Sequence, residues 1–232
     1  NISLLPFRIT IDEGKGKEAN DSSKYGNKGT LEGGAEWKAG KYGKAVSFSA
    51  EGDQVVVQNS ESLNIEGKIT IMAWSKIDAW NGSGDQWVGK GAHASKPSCY
   101  GLMVYQSANV YFMLGDGGAR HDLITPKLPN TGEWQHVAAT YDGKTMKYYL
   151  NGELSAEKEE KFAFKGVNEL PVMIGSGVQR PQYVFNGIID EVAIFNRALD
   201  PVEIKKAMSG IGLMLYVDRS DKLATTWGML KK

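Results

Sequence analysis

The stretch Gly132-Glu133-Trp134-Gln135-His136-Val137-Ala138-Ala139-Thr140-Tyr141-Asp142-Gly143-Lys144-Thr145-Met146-Lys147-Tyr148-Tyr149-Leu150-Asn151-Gly152 holds two strand-like runs, with Asp-Gly between them and Asn-Gly after the second. Both dipeptides suit turns that need a positive φ, so the stretch reads as consecutive antiparallel strands joined tightly. It points to a fold far more than to an activity. What the chain binds has to be argued from weaker marks elsewhere.

Further strand-like runs flank this stretch at residues 4–11, 45–48, 54–58, 69–76, 86–90, 101–106, 110–114, 171–174 and 186–195, with turn signals between them. That pattern predicts an all-β sandwich or barrel, not alternating βαβ units. Ile69-Thr70-Ile71-Met72-Ala73-Trp74 puts apolar bulk on both faces, as an inner strand does. One helix is well signalled. Asp200 suits the cap, Pro201 the first helical position and Glu203 the third, while Ile204, Ala207 and Met208 form an apolar stripe that Ser209-Gly210 ends. Residues 60–63 read as a single helical turn. Residues 211–232 read as a short strand and a tail packed on the same domain, because Trp227 and Leu230 are costly to leave in water.

Composition supports one domain over residues 1–232. An apolar share of 41% is enough for a sizeable core, and 28 glycines against 7 prolines indicate many tight turns. Lys plus Arg equals Asp plus Glu at 27 each, so no global field draws the chain to nucleic acid. The lone Cys99 excludes an intrachain disulfide and reads as a small core or loop residue. No stretch reaches membrane-spanning length, so no membrane insertion is expected.

With these blocks in view, the chain resembles the LamG-like jelly-roll domains of the concanavalin A-like lectin/glucanase superfamily. Gly132 to Ala138 with Tyr141-Asp142-Gly143 and Tyr149-Leu150-Asn151-Gly152 carry the likeness. So do Lys44-Ala45-Val46-Ser47-Phe48 running into Asp53-Gln54-Val55-Val56-Val57, the Ile69 to Trp74 run, and Phe185 to Leu199 with Asp190-Glu191 inside it. The blocks stand in the family's order over residues 5–210. The resemblance implies a jelly-roll sandwich of two antiparallel sheets, one concave and one convex, with one short helix. Ligands of such domains are held on the concave face or rim loops. It also implies a secreted, periplasmic or cell-surface protein.

Asp190-Glu191 interrupts an otherwise apolar strand, so at least one carboxylate is expected to be buried, where it needs a cation or hydrogen-bond donors. Strict alternation places one with Ile188, Val192 and Ile194 and the other with Ile189, Ala193 and Phe195. The resemblance implies a structural Ca²⁺ at Asp12, Gly52 and Asp190, hard oxygen donors from separate segments. The alternative is that Asp190 caps backbone amides or pairs with an arginine. The loop Asp21 to Asn27 does not have EF-hand spacing and reads as an Asx-type turn.

Glycoside hydrolysis needs two acids flanking the scissile bond. The alternating Glu-x-Asp-x-x-Glu string of the laminarinase-like enzymes is absent, and Glu157, Glu159 and Glu160 read as a solvated loop. Catalysis is therefore not expected, and His136 reads as a sheet histidine. Sugar binding needs aromatic platforms and polar groups. Trp80, Asn81 and Trp87 supply both in one loop, Arg180 and Tyr183 in a second rim segment, and Tyr105 and Tyr111 on an adjoining sheet face. Arg120 and His121 follow Gly115-Asp116-Gly117-Gly118 and read as a glycine-rich loop, where function concentrates. Trp74 and Trp134 read as core. The expected ligand is a glycan or another cell-surface or extracellular-matrix component. The alternatives are a structural or adhesive module and, third, a polysaccharide-degrading enzyme.

Overall fold

The computed structural model describes residues 7–9, 13–80, 84–91, 99–105, 109–177 and 180–210. Its strands are β1 (Phe7–Ile9), β2 (Glu18–Ala19), β3 (Gly29–Glu32), β4 (Glu36–Ala39), β5 (Lys44–Phe48), β6 (Gln54–Val57) and β7 (Ile65–Glu66). There follow β8 (Ile69–Ile77), β9 (Asp85–Lys90), β10 (Tyr100–Tyr105), β11 (Asn109–Gly115), β12 (Arg120–Thr125), β13 (Trp134–Tyr141) and β14 (Thr145–Leu150). The last are β15 (Glu153–Glu159), β16 (Lys165–Gly166), β17 (Val172–Ile174), β18 (Ser176–Gly177), β19 (Arg180–Val184) and β20 (Gly187–Phe195), before the helix α1 (Pro201–Met208).

Two eight-stranded sheets face each other. Sheet I runs β15-β14-β13-β8-β20-β5-β4, with β1 also paired to β20; sheet II runs β12-β11-β10-β9-β17-β6-β3-β2. The core lies between them, where Ile71 and Ala73 of β8 and Val137 and Ala139 of β13 meet Leu102, Val104, Phe112 and Leu114 of sheet II. Trp87 is buried in this layer, and its indole N–H donates to the Ser75 hydroxyl of the opposite sheet at 3.0 Å. The all-β sandwich is as expected.

The hairpin stretch folds as its dipeptides predict. Leu150 pairs with Glu153 across Asn151 (φ 52°) and Gly152 (φ 77°), a two-residue turn with both φ values positive. At the other end Asp142 accepts the amides of Lys144 and Thr145, closing a wider turn. Residues 153–159 are strand, not the expected loop. The Lys and Glu side chains that suggested solvent form cross-strand pairs instead, Lys147 with Glu157 and Lys144 with Glu159, on a charged sheet edge. Residues 120–125 are likewise the edge strand β12, so Arg120 and His121 do not sit in a loop.

α1 has the cap read from sequence. The Asp200 side chain accepts from Val202 N and Glu203 N, Glu203 returns the bond, and Pro201 opens the helix. Its buried residues Ile204 and Ala207, with Leu199, cover Met72, Ala138, Tyr149, Ala193 and Phe195 on the outward face of sheet I. The expected turn at 60–63 is a 3₁₀ turn over Glu61–Leu63. The expected strand and tail at 211–232 lie outside the described residues.

Candidate functional site

The outward face of sheet II is built by a bulge. Along β9 and β10, Leu102 opposes Val88 and Met103 opposes Gln86, so Trp87 is the extra residue. The extra residue lets Trp87 and Val88 both enter the core while Gln86 and Gly89 face outward beside Met103 and Gly101. This corrects the expectation for Trp87: it is a core residue with no exposed surface. Trp80, half-buried, packs edge-on against it at 5.9 Å and faces the same core.

Tyr105, Tyr111 and Tyr183 come together on that outward face. Tyr105 lies 5.8 Å from Tyr111 and 5.6 Å from Tyr183 between ring centroids, and Met103 and Met113 complete the cluster. Gly84 (φ 143°) allows the approach, because a Cβ there would sit 2.9 Å from the Tyr183 ring and 3.0 Å from Met103 Cε. Tyr105 is half-buried; the rest of the cluster is nearly covered. Beside Met103, Gln86 is 4% exposed, and its Nε2 has no hydrogen-bond partner among the described residues. The amide lies over Gly89, where a Cβ would be 2.7 Å from Nε2. Gln86, Met103 and Met113 were missed by sequence reasoning. The available signal was Gly89 and Gly101 inside strands, which marks close approach of another group.

The remaining predicted residues lie elsewhere. Arg120 donates to Asp122 through Nε and Nη2 at 3.1 and 2.7 Å. His121 bonds Asp116 and Glu160. Both stand at the sheet edge, apart from the tyrosine cluster. Arg180 belongs to β19, and Asn81 lies outside the described residues.

Both carboxylates of Asp190-Glu191 are buried, and a bulge explains why alternation does not separate them. The register of β20 on β8 slips between Asp190 and Ala193, with Glu191 at φ 48°. Ile189, Val192 and Ile194 therefore all face the core. Asp190 accepts the amides of Tyr42 (2.9 Å) and Glu191 (2.7 Å), and Glu191 meets the buried Arg8 guanidinium at 3.5 Å. These are the amide and arginine partners weighed against a calcium ion. Of the positions implied for that ion, Asp12 lies outside the described residues. Asp190 points to the turn before β5 and Gly52 lies in the turn after it, separated by about 15 Å of strand. Gly52 and Asp190 thus do not converge on one site.

Asp21 accepts amides of Arg8, Ser23 and Asn27, as an Asx-type turn does. Cys99 is buried, and burial pushes its thiol up to about 11, so it is no nucleophile at neutral pH. Burial brings His136 down to about 3, so the ring is neutral, and its Nδ1 has no partner. Trp74 is buried on the outward face of sheet I, not between the sheets, and Trp134 is half-buried. Trp74 Nε1–H and the Tyr42 hydroxyl both donate to Met208 O and anchor the end of α1. An open depression of about 460 Å³ beside them is lined by Lys41, Asn151, Glu153 and Lys205.

Two antiparallel sheets closed over one core, with an aromatic cluster on an outward face, define the class: a jelly-roll sandwich. The chain belongs to the concanavalin A-like lectin/glucanases superfamily, whose family model matches residues 49–205. It is 24% identical over 210 residues to mouse (Mus musculus) Pappalysin-1, covering 81% of this chain but only 13% of that protein. It resembles the binding domain of Paraclostridial Mosquitocidal Protein 1 with a TM-score of 0.69 and 21% identity, over 88% of this chain and 51% of that one. It also resembles domain 4 of AbnA, a GH43 extracellular arabinanase from Geobacillus stearothermophilus, solved with arabinotriose: TM-score 0.65, 19% identity, 87% of this chain and 96% of that one. At these identities the likeness is one of fold. No helix among the described residues is long and apolar enough to cross a membrane.

Proposed function

We propose that the chain is a non-catalytic recognition module of an exported or cell-surface protein, and that it binds carbohydrate at the tyrosine-lined end of sheet II. The observation that carries this reading is the convergence of Tyr105, Tyr111 and Tyr183 from three strands, on the sheet face that also carries the buried Gln86 amide beside Met103. Aromatic rings offer faces for sugar C–H groups, and a buried amide without a partner gains a hydrogen bond when a ligand oxygen reaches it. The AbnA domain supports the reading because nearly its whole length is matched and it was solved with an oligosaccharide. The non-catalytic part rests on the acids: Glu157, Glu159 and Glu160 are each held in an ion pair by Lys147, Lys144 and Lys158.

A second reading, a structural or adhesive module that binds protein, is favoured by one fact. Met103, Tyr111 and Met113 are 0, 7 and 5% exposed, so bulky side chains fill much of the face. A glycan array and a calorimetric titration with arabinotriose separate the two. Carbohydrate binding predicts a signal that Tyr105→Ala and Tyr183→Ala each reduce by about tenfold or more, the scale of one lost stacking contact. Trp80→Ala, which alters core packing, leaves it intact. An empty array with folded protein leaves the second reading standing.

A further inference from the structure

His121 sits where the two sheets close along one side of the sandwich. β12, which carries it, is the edge of sheet II, and β15 is the edge of sheet I. Nε2 lies 2.9 Å from Asp116 Oδ2 in the turn after β11, and Nδ1 lies 3.0 Å from Glu160 Oε1 just after β15. Ionised carboxylates only accept hydrogen bonds, so both ring nitrogens must donate, and the ring in this arrangement is an imidazolium. It is also held in plane, stacked on Phe162 at 3.8 Å and 9°, and Phe162 is stacked on Tyr141 at 4.5 Å. Neutral imidazole has one N–H. Its other nitrogen would turn a lone pair toward a carboxylate at hydrogen-bond distance.

We infer that His121 is a proton-operated latch: charged, it ties the edge of sheet II to Glu160 at the edge of sheet I; neutral, it gives up one of its two bonds and loosens that side of the sandwich, where Lys158 of β15 still donates to the Asp122 carbonyl of β12. The surrounding charges leave the proton-dependent part of this tie to the histidine. On its own strand, Arg120 is paired with Asp122. From β15, Lys158 binds Glu160 and donates to the Asp122 carbonyl. Lys165 of β16 passes near Gly117 without an ion pair among the described contacts, and Cys99 is protonated. Partial burial opposes the charge on His121, but hydrogen bonds to Asp116 and Glu160 outweigh it and raise the group above 6.5. The His121 hydrogen bond and two backbone amides hold Asp116 below 3.8; Lys158 first, and then His121, lowers Glu160 below 4.5.

The pH sense follows from linkage. A raised histidine stabilises the fold fully below its unfolded value near 6.5 and loses that contribution as pH rises through the higher folded value. The lowered acids contribute fully above 3.8 and 4.5 and lose it as pH falls through their folded values. The latch is therefore complete between about pH 4.5 and 6.5 and opens on the alkaline side.

The test uses the full chain. NMR titration of the wild-type imidazole is expected to show both nitrogens protonated at pH 6.5 and a midpoint above that. Thermal melts should lose about 2–4 °C between pH 6 and pH 8.5, the size expected for a contact of this kind in a chain this long. His121→Gln should melt lower at pH 6 and lose less than half of that further amount. Amide exchange, corrected for intrinsic rate, should quicken selectively in β12 and β15 at pH 8.5. A His121 midpoint at or below 6.5 overturns the latch, and so does a His121→Gln melting profile parallel to wild type. If that variant does not fold, the wild-type titration and exchange decide alone.

Discussion

The two outward faces of the sandwich are finished differently. On sheet I, Met72, Ala138, Tyr149, Ala193 and Phe195 are roofed by α1, an element with its own cap and its own apolar stripe. On sheet II, Met103, Tyr105, Tyr111, Met113 and Tyr183 pack on one another, and the buried Gln86 amide beside Met103 has no partner among the described residues. The first face is roofed: the last helical carbonyl, of Met208, receives Trp74 and Tyr42, and His136, whose buried Nδ1 lacks a partner among the described residues, is covered by Trp74 at 5.4 Å. The second stores an unmade hydrogen bond. A face that retains such a cost is where binding energy can be recovered.

The sharpest way to break this contrast is to damage the roofed face. Phe195→Ala removes a buried ring under α1 and should cost about 3–4 kcal/mol, read as a lower midpoint in urea at unchanged slope. Binding of arabinotriose or any array hit, measured under folded conditions, should not change. A loss of affinity at constant fold would mean that the two faces are coupled and the division is wrong.

Gln86→Met probes the other face with the opposite sign. Methionine keeps the length of glutamine, removes the unpartnered amide, and suits a cluster that already holds Met103 and Met113. Stability should rise by about 1 kcal/mol, the lower end of what an unsatisfied buried group costs, while saccharide binding falls. A gain in stability with a loss of binding is the signature of a functional group held at a cost. If the variant instead melts lower, the amide has a structural partner, and the two faces do not differ in this respect.

How much of this was legible in the sequence depended on whether a signal was local. The Asn151-Gly152 turn, the Asp200-Pro201-Glu203 cap and the apolar run Ile71 to Trp74 of β8 are each decided by neighbouring residues, and each is legible in the sequence. Bulges defeated the reading. Period-two reasoning cannot see the extra residue that sends Trp87 inward or the one that buries both Asp190 and Glu191. β12 and β15 were hidden for another reason: edge strands carry the charges that also mark loops, and only cross-strand partners such as Lys147 and Glu157 distinguish them. The candidate site was half visible. Tyr105, Tyr111 and Tyr183 stood out as residues, but their meeting depends on strands that are distant in sequence.

The smallest expected effect refines the contrast at its local end. Asp200 caps α1 through two amides while Glu203 closes the box and binds Arg197 at 2.7 Å. Asp200→Ala should cost about 1 kcal/mol, the usual worth of such a cap. Because the cap belongs to the roof alone, the loss should appear as faster amide exchange in α1, with β10 and β11 unaffected. The Glu203 carboxyl, held below 4.5 first by Arg197, then keeps part of the helix start in place above that pH, so the defect should deepen as pH falls through its lowered value. An exchange change spread equally over both sheets would show that the roof is not an independent unit, and that the tyrosine face owes its arrangement to α1 as well.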